Sequence, residues 1–125
     1  MINSTGYFEI KKSKFYSYIY NVNSLEQINE LLKNIKLDNK KARHIVYGYE
    51  LNINGNVIKK YSNDNEPQAT GINAAVNMLE KENITNYLVV IVRYFGGTLL
   101  GRGLLLRSYF NSFKIAYENS KETVK

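Results

Sequence analysis

Tyr87 to Tyr109 reads YLVVIVRYFGGTLLGRGLLLRSY, and its first half leaves the chain little choice of fold. Leu88 to Val92 is apolar without interruption, far short of the roughly 20 residues of a membrane span and too continuous for a strand with one wet face. A short β-branched run of this kind, closed by glycine, is the pattern of a buried central strand. It ends in Arg93-Tyr94-Phe95, turns at Gly96-Gly97 and passes Gly101 and Gly103 into a second apolar-periodic segment. Strand, glycine loop and helix follow with no spare residues. Such a junction points the N–H groups of a helix start outward, which suits an anion.

The flanking segments supply the rest of a sheet and its helices. Tyr7 to Tyr20 alternates as a strand, with a slip at Lys11-Lys12 that predicts a bulge. Ser24-Leu25-Glu26-Gln27 is a capping box, and Leu25, Ile28, Leu31, Leu32 and Ile35 then share one helical face up to a stop near Asn39. Asn54-Gly55 between Arg43–Ile53 and Asn56–Ser62 signals a two-residue hairpin, which pairs Ile53 with Asn56 and Leu51 with Ile58. A polar loop, Ser62 to Thr70, carries the single proline. Ile72, Ala75, Val76 and Leu79 predict a second helix that stops at Asn83, and Leu106, Phe110, Phe113 and Tyr117 a third from about Arg102. The charged tail from Glu118 is expected to fray. The order β-α-β-β-α-β-α predicts an α+β two-layer domain: a four-stranded sheet with its helices on one face.

Length and composition narrow the function. A chain of 125 residues is one domain with room for a core. It has no cysteine and one histidine, which excludes disulfides, thiolate metal sites and a multi-histidine metal site within one chain. MINSTGYFEIKKSKF lacks the apolar core of a signal peptide, so a cytoplasmic protein with no membrane partner is expected. A net charge of +6 fits an acidic partner such as RNA, and equally a lysine-rich solvated surface.

Several residues are candidates for chemistry. Gly96, Gly97, Gly101 and Gly103 could let a phosphate approach backbone N–H groups, with Arg93, Arg102 and Arg107 adding charge-assisted bonds. Alternatively, the glycines supply positive φ and a tight turn. No P-loop or dinucleotide fingerprint is present. Arg93, at the end of an apolar strand, requires an anion: a ligand, or an ion pair with Asp64 or Glu66. Asp64 and Glu66 with their asparagine neighbours are loop residues that could also attract a cation. His44 has no oriented partner in any motif and reads as structural rather than catalytic. Lys11, Lys12 and Lys14, with Tyr16, Tyr18 and Tyr20 beyond, suit a single-stranded nucleic acid, or simply a solvated edge. No catalytic constellation, metal site or cofactor is indicated.

RYFGG-TLLGRG-LLLRSY, together with Glu9 to Phe15, Ala42-Arg43-His44 and Asn63 to Pro67, resembles the Impact/YigZ family across nearly the whole chain. The resemblance implies the fold of the second domain of a small-subunit ribosomal protein, shared with some small-molecule kinases. It implies a domain linked to translational control whose partner is RNA, the ribosome or a translation-associated protein. The alternatives it leaves open are a protein-interaction domain and a small-molecule phosphate- or nucleotide-binding enzyme. Residues 1–125 are expected to form one Impact N-terminal-like domain without the family's usual C-terminal ferredoxin-like domain. The chain departs from the family pattern at Ile45, at Asn63 and Asn65, at Ile72 and Ala74, and at Leu104.

Overall fold

The computed structural model describes residues 1–66 and 71–121. In chain order these form β1 (Ser4–Ile10), β2 (Ser13–Asn21), α1 (Leu25–Asp38), β3 (His44–Ile53), β4 (Asn56–Ser62), α2 (Asn73–Lys81), β5 (Tyr87–Tyr94) and α3 (Arg102–Asn119). The strands make one antiparallel sheet in the order β1-β2-β5-β3-β4, which places the apolar run at its centre. The α+β class stands. Two finer expectations do not.

The sheet has five strands rather than four. Lys11 and Lys12 are not a bulge: both take left-handed φ, 48° and 66°, and join β1 to β2 as a two-residue hairpin with Ile10 opposite Ser13. Nor do the helices share one face. Tyr87, Val89 and Ile91 pack with Phe15, Ile19 and the apolar sides of α2 and α3. Leu88, Val90 and Val92 point the other way, into Ile28, Leu32 and Ile35 of α1. Period-two alternation sends successive side chains to opposite faces, so a strand apolar at every position must be covered twice. β5 is buried from Tyr87 to Arg93 for that reason.

The local signals hold elsewhere. Ser24 Oγ accepts from Gln27 N–H as the box requires, while Gln27 Oε1 reaches one residue further back and accepts from Asn23 N–H rather than from the cap itself. Asn54 and Gly55 both take positive φ, and Leu51 stands opposite Ile58. The third helix departs in part of its buried side. Leu106 is exposed and Phe110 only half-buried, while Phe113 and Tyr117 are buried as expected and share that side with Leu105, Ser108, Tyr109, Ser112 and Ala116. Small residues in that stripe let the helix backbone lie directly on β1, where a side chain on Gly6 would strike Ser112 O and Ala116 N. On the neighbouring strand, the Ser17 hydroxyl of β2 shares a 2.6 Å hydrogen bond with the Ser112 hydroxyl. Leu105, Tyr109, Phe113 and Tyr117 set the buried side at helical spacing, and the small residues between them set how closely α3 approaches the sheet.

Candidate functional site

Three motif segments far apart in sequence meet at one end of the sheet. In the β3–β5 register His44 lies opposite Arg93, and the 63–66 loop folds over the pair. Glu66, with a side chain 1% exposed, is the shared anchor. Its Oε1 and Oε2 accept from Arg93 Nη1 at 2.8 and 3.0 Å, and His44 Nε2 lies 2.9 Å from Oε1. Asp64 adds the outer contact, 3.5 Å from His44 Nδ1, and accepts from Ile45 N–H at 2.9 Å. Asn63 accepts from Ile72 N–H and donates to Asn73, tying the loop to the start of α2. The polar loop groups thus serve the protein's own backbone and ion pairs.

Tyr109 of α3 reaches the same cluster from below. Burial, and after it the charge of Glu66, push its hydroxyl far above the ordinary tyrosine range. The hydroxyl and Arg93 Nε are buried without a hydrogen-bond partner among the described residues.

Beyond Arg93 the chain crosses to the other side of the sheet end. Gly96 lies against the β1–β2 turn: its N–H donates to Ser13 Oγ at 3.1 Å, and a β-carbon there would overlap Lys12 C and Ser13 N. Gly97 and Gly101 take φ of 96° and 76°, with open space around them. The glycine loop and the lysine hairpin, read separately in the sequence, are therefore one structural unit. Beside it a groove of about 380 Å³ is lined by Lys12, Lys14, Tyr16, Tyr18, Tyr94 and Phe95, with Asn39 at the end of α1. Tyr94 donates to Asn39 Oδ1 at 2.6 Å, and Tyr16 meets Tyr94 edge to face at a centroid distance of 6.0 Å. Arg43 stacks its guanidinium 4.4 Å above Phe95, and its N–H donates to Arg93 O.

The candidate residues accordingly divide. Arg93 and His44 are joined through Glu66, facing inward. Lys12 and Lys14 flank the aromatic groove, with Gly96 behind them. Gly101 is the N-cap of α3, and Arg102, Gly103 and Arg107 are exposed on its first turns, Arg107 Nη1 lying over Gly103. Sequence reasoning missed Asn39, Tyr94 and Phe95 as groove walls. The signal was present in Tyr94-Phe95, two aromatics just past a buried arginine. Asn39 carried none, because it reaches the groove only through the placement of α1.

Comparison with known proteins spans most of the chain. The family model described as the Impact N-terminal domain matches residues 11–117. An IMPACT family member of Haemophilus influenzae is 30% identical over 118 residues, 94% of this chain and 57% of that protein. YvyE of Bacillus subtilis, also an IMPACT family member, is 32% identical over 82% of this chain and 47% of its own length. The chain spans about half the length of the curated relatives it matches. Among solved structures, a hypothetical protein superposes with a TM-score of 0.86 at 25% identity, covering 96% of this chain and 59% of that one. The two-domain translational regulator Yih1 superposes with a TM-score of 0.57 at 21% identity, over 93% of this chain and 46% of its own, a likeness of fold.

Proposed function

The chain belongs to the Impact family, and from that premise we propose that it acts in translation regulation as a domain without chemistry of its own, contacting RNA through the basic end of its sheet. The description of Yih1 as a translational regulator supports the process. The observation that carries the contact is the groove, where Lys12 and Lys14 stand beside Tyr16, Tyr94 and Phe95. Cationic stems next to aromatic rings are the means by which many proteins hold nucleic acid without reading its sequence. Against an enzymatic role, Glu66 is already held by Arg93, and no described contact brings a nucleophilic hydroxyl or amine to His44.

A salt titration of RNA affinity tests the reading. Binding should weaken steadily between about 50 and 200 mM salt, and Lys12→Ala with Lys14→Ala should flatten the logarithmic slope by roughly 0.7 per lysine. Failure to bind any RNA at the low-salt end would overturn it. A second reading, docking on a protein, rests on Leu99, which is 83% exposed in the glycine loop. Leu99→Ser should leave RNA affinity intact if the first reading holds.

A further inference from the structure

We infer that the aromatic groove takes single-stranded rather than duplex nucleic acid, and that the strand's phosphates run on from the hairpin lysines to those at the end of α1. This rests on the RNA-contact reading above and specifies its ligand.

A second groove of about 350 Å³, lined by Lys36, Asn39, Lys40, Ile45, Tyr47 and Asp64 among others, adjoins the first. Asn39 lines both, so they form one track past the end of α1. Its basic groups come from two elements: Lys12 and Lys14 from the hairpin, Lys36 and Lys40 from the helix end. Three acids stand beside it, and a hydrogen bond from a neutral donor leaves a carboxylate its charge. Glu9, opposite Lys14, accepts from the Tyr7 hydroxyl, and Asp64 accepts from Ile45 N–H and faces His44. Asp38 remains as a nearby opposing charge, and the last turn of α1 presents the negative end of its dipole. Four lysines outnumber the three carboxylates by one, so the track keeps a small positive excess.

The rings decide between strand types. Tyr16 and Tyr18 alternate along β2 toward α1, Tyr94 and Phe95 close the far wall, and all four are partly accessible. Burial, then the neighbouring Tyr94 and Tyr16, raise the Tyr18 hydroxyl above its ordinary value. A recessed ring can stack only on a base already out of a helix. A duplex presents backbone there, whereas a single strand offers a ring face beside each phosphate.

Fluorescence anisotropy of the intact chain with a short oligouridine, and with an RNA duplex of the same length, tests this. The single strand should bind at least about tenfold tighter at about 50 mM salt, with a logarithmic slope near −3 if all four lysines contribute at roughly −0.7 each. Tyr18→Ala should weaken oligouridine binding about tenfold, in line with stacking values, and Tyr18→Phe should restore it. Lys36→Gln with Lys40→Gln, both exposed and checked by thermal melt, should reduce the slope magnitude by about 1.4. Duplex bound as tightly as the single strand, or an unchanged slope in the α1 variant, would overturn this inference and leave the RNA reading standing. No binding of either RNA would overturn both.

Discussion

Glu66 is the residue on which this end of the molecule depends. It is the carboxylate that Arg93 meets inside the protein among the described residues, and it also fixes His44. Removing one partner of a buried ion pair leaves a desolvated charge, and the loss runs at about 3–5 kcal/mol. Glu66→Ala should therefore lower the unfolding free energy by about that amount in urea titrations, with Glu66→Gln costing less because an acceptor oxygen remains. Arg93→Ala combined with Glu66→Ala should cost well below the sum of the single changes. Strict additivity would mean that the pair is not coupled. Much of this was legible. A guanidinium ending an apolar strand needs an acid, and the sequence offered Asp64 and Glu66. The meeting of His44 with the same acid was not, because only the β3–β5 register places His44 opposite Arg93.

Among elements, the β1–β2 hairpin shows why a strong pattern can be misread. Asn54-Gly55 announces its turn by residue type, whereas Lys11-Lys12 makes a turn of the same length with two side chains that disfavour it. With no glycine or asparagine at the break, the alternation slip looked like a bulge inside one strand. A left-handed φ costs an ordinary residue roughly 1–2 kcal/mol, while glycine's extra unfolded-state freedom costs roughly 0.5–1. The first exceeds the second, so Lys12→Gly should stabilise the protein by about 0.5–1 kcal/mol, read as a raised urea midpoint. The same change removes a groove lysine and should weaken RNA binding. A gain in stability with undiminished affinity would place the ligand elsewhere, and a loss of stability would mean the Lys12 side chain supports the hairpin. Gly96 offers no such freedom, since Lys12 and Ser13 backbone atoms occupy the space of its missing side chain.

At the scale of the whole molecule the central strand is sealed on both faces while β4 stays exposed, and the sequence held half of that result. Helical periodicity identified the buried side of α1 through Ile28, Leu32 and Ile35, yet periodicity does not say which face of a sheet a helix covers. Complete coverage of β5 nevertheless follows from its uninterrupted apolar run, and it has a cost that can be measured. Tyr87 and Tyr109 lie fully buried, and burial is the first cause pushing both hydroxyls above their ordinary value near 10. In the unfolded chain they ionise near that ordinary value, while the folded protein keeps its protons. The native state then binds more protons than the unfolded state, so stability is fully present below about pH 10 and falls as pH rises beyond it. Each such tyrosine steepens the decline by about 1.4 kcal/mol per pH unit until its own folded pKa is reached. Tyr109→Phe isolates one of them. Its hydroxyl has no hydrogen-bond partner among the described residues, so the substitution should leave stability at neutral pH unchanged or slightly raised. Urea unfolding from about pH 10 to about pH 12 should show the variant declining less steeply than the parent, by about 1.4 kcal/mol per pH unit. Parallel curves would mean that Tyr109 ionises in place, and that water reaches the floor of the Glu66 cluster.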